Sequence, residues 1–423
     1  MRCLQSAPVR RAVEAVLPAR MGTPFRWLVG SSWVSNLGDG IALAAGPLLV
    51  AGQTQDPLLV ALGALLQRLP WLLLGLHAGV LADRIDRRRL VIAVDLARVG
   101  VLVVLGAALF AGDVGIVVVL AALFVLGTAE VFADTAHGTL LPMVVARADL
   151  GVGNARLMAG VITMNELAGP ALGAVLFAAG TAWPFVTQAV LLGLGALLVS
   201  RMRLPVRERP AERSHVGRDI AEGLRWTWGN AAVRTLTLTI VSFNVTYGAA
   251  WSVLVLYADR QLGLGPVGFG LLTSAVAVGG IVGTASYDWL ERHASLATLM
   301  RIGLVIETLT HLAFALTTTA WVAMVTMVVF GAHAFVWSTT SRTVRMRAVP
   351  MDLQGRVGSL YAMGVFGGIL LGQLIGGLIA RVWGVSGPFW FGFVGSAVIL
   401  ALIWSQLSHI AHAGDDLVES ARV

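Results

Sequence analysis

Asp39, Arg68, Glu130, Asp134, Glu166 and Glu307 each stand inside a long run of apolar residues. An ionisable side chain in such a run is costly unless paired or hydrated, which makes each one a functional candidate. All but Glu307 fall before residue 167, so the chemistry is concentrated in the first half. Ser32, Asn36 and Asp39 follow i, i+4, i+7 and share one helical face, and Glu130 and Asp134, at i, i+4, share another. Two chemistries are open to them. Arg68 can neutralise Asp39 or Glu130 in a structural ion pair that never titrates. Alternatively, two acids against one arginine leave a surplus able to gain or lose a proton.

These residues must be positioned by membrane-spanning elements. With 57% hydrophobic and 13% charged residues and a mean hydropathy of +0.81, the chain needs lipid as its solvent. Runs long enough to cross a hydrocarbon core roughly 30 Å thick are expected at 26–51, 57–80, 90–111, 114–136, 157–179, 183–200, 233–257, 266–289, 298–318, 320–341, 357–380 and 387–407. They do not alternate as barrel strands do, and a helix satisfies its own backbone in lipid. The expectation is an all-α membrane protein with twelve transmembrane helices in two pseudo-symmetric six-helix bundles.

Arginine placement gives the orientation. With the N-terminus inside, Arg84, Arg87, Arg88 and Arg89, Arg147 and Arg156, the cluster from Arg201 to Arg225, and Arg342, Arg345, Arg347 and Arg356 all fall on the cytoplasmic side, leaving Arg260 and Arg381 outside. That asymmetry puts both termini in the cytoplasm. The expected organisation is an N-terminal tail at 1–24, a bundle at 25–200, a linker at 201–232, a second bundle at 233–408 and a C-terminal tail at 409–423. No separate apolar core or cleavage site marks a signal peptide in the first residues. Within the linker, Ile220, Leu224 and Trp228 at i, i+4, i+8 predict a surface helix with Trp226 and Trp228 near the headgroups.

Several classes are disfavoured. All 30 basic residues are arginine, so a lysine-bearing phosphate loop and ATP-driven pumping are not expected. The net charge of +7 is spread over alternate loops rather than one patch, which argues against nucleic acid. The single cysteine, Cys3, cannot form an internal disulfide, and metal-ligand spacings and hydrolytic constellations are absent, so neither a cofactor nor an enzyme is expected. Gly263 to Gly268 fits G-x-G-x-x-G, but no strand precedes it and Pro266 interrupts it, so it reads as a turn.

The halves repeat. Asp83, Asp86 and Arg87 are matched by Asp288, Glu291 and Arg292, each 205 positions on, and Asp149, Leu150, Gly169 and Gly173 by Asp352, Leu353, Gly372 and Gly376, each 203 on. A nearly constant offset is the trace of two related bundles.

Two motifs carry a family resemblance. Gly79-Val-Leu-Ala-Asp83-Arg84-Ile-Asp86-Arg87-Arg88-Arg89-Leu90 resembles the signature loop of the major facilitator superfamily, departing from it at Asp86, where glycine is usual. Asn165-Glu166-Leu-Ala-Gly169-Pro170-Ala-Leu-Gly173 resembles the superfamily's antiporter signature. With Leu37-Gly38-Asp39, Pro47-Leu-Leu-Val50 and Glu222-Gly-Leu-Arg225, the chain is most similar to bacterial twelve-helix drug and siderophore exporters of the macrolide-efflux and enterobactin-exporter type.

The resemblance implies that helices 1, 4, 7 and 10 line a central cavity. Asp39 and Glu130 would then face each other across water and couple protons to cargo, with Asn36, Arg68 and Glu166 as further coupling or substrate residues. Asn244, Tyr247 and Trp251, with His333 and Trp337, would supply an aromatic wall suited to a bulky amphipathic, even cationic, ligand. Gly79, Asp83, Arg84, Arg87 and Arg88 would form a cytoplasmic latch with Asp134 as the acidic partner. Gly169, Pro170 and Gly173 would meet the other bundle, and Glu166 would face that interface. Glu307 and His311 would be a helix-packing pair.

The implied function is export of a small amphipathic drug, siderophore or metabolite by proton antiport from a bacterial cytoplasmic membrane, by a monomer driven by the proton motive force. The rivals are a uniporter or importer on the same fold, and an integral-membrane enzyme or lipid-moving protein.

Overall fold

The computed structural model describes residues 18–112, 114–202, 216–351 and 353–407. Among the described residues all regular structure is helical, as backbone satisfaction in lipid requires. The helices are α1 (Gly22–Gln53), α2 (Pro57–Arg84), α3 (Arg87–Ala111), α4 (Ile116–Gly138), α5 (Leu150–Gly160, a π-helical stretch Val161–Ala168, then Gly169–Ala179), α6 (Trp183–Ser200), α7 (Val216–Gly229), α8 (Ala231–Trp251), α9 (Leu254–Arg260), α10 (Pro266–His293), α11 (Leu296–Leu316), α12 (Ala320–Ala348), α13 (Gln354–Trp383) and α14 (Gly387–Ile403).

Among the described residues ten helices are long and apolar enough to cross a membrane, and eleven when α8 and α9, bent by 41°, count as one span. The last expected run is present as α14, whose 17 residues rise about 25 Å.

Local chemistry explains three departures from uniform helix. Pro170 has no N–H to donate, and the turn before it widens so that the Gly169 amide bonds the Met164 carbonyl five residues back. The expected single run at 233–257 breaks after Trp251, where Ser252 turns its hydroxyl onto the Ala249 carbonyl at 2.8 Å; such back-bonding bends helices. The expected loop at 79–90 contracts to Ile85 and Asp86, because α2 runs through Arg84 and Asp86 caps α3 by accepting from the Arg89 amide at 2.9 Å. An N-cap role accounts for aspartate at the position where glycine was expected.

The chain divides into two compact units, Met1–Gly46 with Leu73–Ala211, and Pro47–Leu72 with Glu212–Val423. The α1–α2 turn packs with the later helices. Ala61 is buried with Val253 and Ala380, Arg260 donates to the Gln55 carbonyl at 2.9 Å, and Arg381 lies 3.7 Å from Asp56.

In the first unit, Met21, just before α1, and Phe25, Leu28 and Val29 of α1 pack with Leu90, Val91, Ala136, Leu140, Val199 and Met202. Gly169 and Gly173 are buried with their Cα hydrogens against the backbone of Gly40 and Ile41, so α5 and α1 touch along a small-residue seam. In the second unit the same seam recurs between α13 and α8, where Gly372 meets Val245 and Gly248, and Gly376 meets Ala249. The sequence repeat is thus a repeat of packing. α7 is tied to α13 by Glu222 and Arg356 at 2.9 Å, with Trp226 against Val233, Val349 and Val357 and Trp228 exposed.

Candidate functional site

In the first unit, α1, α3, α4 and α6 bring a charged cluster together. Arg98 of α3 is 2% exposed and donates to Asp39 of α1, with Asp95, one turn earlier on its own helix and 1% exposed, 3.7 Å away. Asp39 is further approached by Gln188 of α6 at 3.5 Å. Glu130 of α4 also lies in the field of Arg98, and Asp134 lies in the combined field of Glu130, Asp39, Asp95 and Arg98. Glu130 is half-buried, whereas Asp134 is exposed. His137, one turn beyond Asp134, sits 3.4 Å from Ser31 of α1.

This corrects the expected counterion. Asp39 is held by Arg98, and Arg68 is exposed. Asp39, half-buried, is therefore one end of an ion pair with the buried Arg98, and the most exposed acid of the cluster is Asp134.

Asn36 bonds locally, donating to the Ser32 carbonyl at 2.7 Å while its own carbonyl accepts from Asn165 of α5 at 3.3 Å. Glu166 lies in the π-helical stretch, half-buried. Gly169 and Gly173 seat α1 of their own unit, and Pro170 is buried beside them.

Arg87 reaches the Thr139 carbonyl at 3.4 Å and the Met143 sulfur at 3.8 Å. Arg87 thus grips the end of α4, and Asp134, exposed, lies in the field of the charged cluster. Arg88 donates to the Ser200 carbonyl at the end of α6, Arg84 is exposed, and Gly79 is half-buried with open space where a Cβ would stand. Asp83 falls in the last turn of α2, and its side chain lies outside the described residues, as do Asp352 and the tails at 1–17 and 408–423.

In the second unit the expected aromatic wall divides: His333 and Trp337 are buried, whereas Asn244, Tyr247 and Trp251 are half-buried. Trp251 sits among Tyr247, Phe330, His311 and Phe389 with ring centroids 4.7, 4.9, 5.8 and 6.4 Å away. Asn244 turns back to the Ile240 carbonyl at 2.7 Å. His333 is buried and pairs with Glu307 of α11 at 3.2 Å, its ring packed on Gly303. Trp337 is buried with Leu236, Phe243, Met300 and Leu304. His333 and Trp337 are thus corrected from cavity lining to packing between helices. Glu307 spends its carboxylate on His333, and His311 takes only its backbone carbonyl, at 2.9 Å.

Sequence reasoning passed over Asp95, Arg98, His137 and Gln188. The available signal was Asp95 and Arg98 at i, i+3 inside the third apolar run, about 12 Å of helix beyond Arg87 and therefore too deep to be headgroup charges.

Residues 15–422 match the model of the transmembrane secretion effector family. The chain is 30% identical over 385 residues to the multidrug efflux pump Tap of Mycolicibacterium fortuitum, covering 83% of this chain and 89% of that one. It is 25% identical over 407 residues to the enterobactin exporter EntS of Salmonella typhimurium, covering 90% and 92%. Its fold is that of the nucleoside transporter NupG, with a TM-score of 0.70 at 12% identity over 92% of this chain and 99% of that one. A bacterial homologue of the iron transporter ferroportin in an inward-facing state gives 0.69 at 18% identity over 91% and 98%. A multi-pass membrane protein with these relatives and this helical repeat, the chain belongs to the transmembrane secretion effector family of the major facilitator superfamily.

Proposed function

We propose that this chain is a proton-driven exporter of a small amphipathic molecule, with twelve spans, both ends in the cytoplasm of a bacterial cell, and alternating access across the inner membrane. The observation that carries the reading is the imbalance around Arg98: Asp39, Asp95 and Asp134 stand three to one against a single guanidinium, and Asp134 is open to the accessible surface. Arg98 fixes Asp39 and Asp95, while Asp134, with Glu130 one turn away on the same face, takes up a proton and releases it as access alternates. This moves the coupling role from Asp39 to Asp134. Each proton moved through the field contributes about 2.3 kcal/mol per 100 mV.

Outward transport is supported by the relatives, an efflux pump and an exporter. The Gly169-Pro170 motif adds no direction of its own, since close packing against α1 accounts for it. The test is movement of ethidium, as a probe cation, into everted vesicles or proteoliposomes under an imposed pH gradient. Gradient-driven uptake by the wild type should be lost in Asp134→Asn while ethidium exchange without a gradient persists. Wild-type coupling in both Asp134→Asn and Glu130→Gln would end the assignment.

A further inference from the structure

Beneath the surface helix α7 lies a cavity of about 300 Å³, bounded by α7, α8, α13 and the second-unit part of α2. Its lining is apolar, with Leu72, Leu224, Trp228, Leu238, Leu360 and Met363, apart from Thr227 of α7 and Arg234 and Thr237 near the start of α8. There Arg234, in the first turn of α8, donates to the Trp228 carbonyl at 2.8 Å and has no carboxylate partner among the described residues. Thr227, 2% exposed, also lines the cavity, and its hydroxyl has no protein partner.

A cavity of this composition, alkane-like inside and cationic at the end next to an amphipathic helix, matches a molecule with an aliphatic chain and an anionic head. Trp228 is 58% exposed and Leu224 45%, so α7 presents a tryptophan and an aliphatic face to the bilayer surface, the depth at which phospholipid headgroups sit. A lipid there would lay one acyl chain between α8 and α13 and set its phosphate against the guanidinium that the Trp228 carbonyl holds in place. Arginine suits that role through its planar set of donors, of which one is used internally.

We propose that this cavity is a binding site for an anionic phospholipid, with Arg234 as the headgroup contact and Leu238 and Leu360 against the acyl chain. The assignment is independent of the transport reading, because it invokes neither the acid cluster nor any cargo.

The test is quenching of Trp228 fluorescence, taken as the difference between wild type and Trp228→Phe, for the full chain in phosphatidylcholine nanodiscs titrated with brominated phosphatidylglycerol or brominated phosphatidylcholine. The wild type should be quenched by the anionic lipid at about five-fold lower mole fraction, the effect of one arginine at an anionic surface. Arg234→Gln should abolish the preference while leaving quenching by phosphatidylcholine intact. Leu238→Trp, which fills the cavity without changing charge, should reduce quenching by both lipids at Trp228. Equal quenching by the two lipids in wild type would reduce the site to ordinary boundary lipid and overturn the proposal. A preference that survives Arg234→Gln would overturn the headgroup assignment.

Discussion

Arg98→Met should be the most destabilising single change in the first unit's charged cluster, and part of the damage should be reversible by a second mutation. Arg98 and Asp95 are 2% and 1% exposed, and Asp39 is bonded to the same guanidinium from another helix, so removing the cation strands two carboxylates. Breaking a buried pair in this way costs about 3–5 kcal/mol. Asp39→Asn is milder, because Arg98 retains Asp95 at 3.7 Å and the loss is one charge-assisted hydrogen bond, about 1.5–3 kcal/mol. In the double variant the asparagine no longer needs a cation, so Asp39→Asn with Arg98→Met should be more stable than Arg98→Met alone. Unfolding midpoints in detergent, measured by denaturant titration of all four proteins, complete the cycle. If the double variant equals the sum of the singles within about 0.3–0.5 kcal/mol, the two side chains are uncoupled and the ion pair does not hold α1 to α3.

The glycine seam predicts an asymmetric pair: Gly173→Leu, which must displace the Ile41 backbone, should lower stability by several kcal/mol, whereas Gly358→Ala on α13, with open space around it, should raise it by about 0.5–1 kcal/mol; thermal melts of both variants decide this. Asp86→Ala should cost about 1 kcal/mol by removing the α3 cap and Asp86→Asn much less, which the same melts would show as unequal shifts.

Much of the helical layout was legible. Pro57 and Pro266 open α2 and α10 where their missing N–H does no harm, and α6 spans the expected 183–200. The polarity of a run, however, says nothing about which way a given residue faces once the helix is rotated into its bundle. Arg68 and Arg98 both sit inside apolar runs, yet one is exposed and the other sealed between helices. Spacing identified Gly169 and Gly173 as a packing face, but the identity of the helix that fills it, α1 of the same unit, is a tertiary fact. Asp95 was passed over although it stands six residues beyond Arg89 inside the third apolar run, and the packing of α3 shows that it is buried. His333 at i, i+4 from Trp337 gave a true shared face but no hint that Glu307 on another helix would occupy it.

The two units use one skeleton for different chemistry. Gly40 with Gly169 and Gly173 in the first, and Gly248 with Gly372 and Gly376 in the second, bring backbones into direct contact, and a seam of that kind depends on the absence of side chains, so it constrains nothing about the residues on the remaining faces. The first unit fills those faces with Asp39, Asp95, Arg98 and Asp134, and the second with Tyr247, Trp251, Phe330 and the Glu307–His333 pair. Duplication of the packing therefore left the chemistry free to diverge, with the acid–arginine cluster in one unit and the aromatic cluster in the other. The proposed proton coupling would use that separation: the acids that could carry protons and the rings that would shape an apolar ligand's surroundings stand on different units, so either set can change without altering the other.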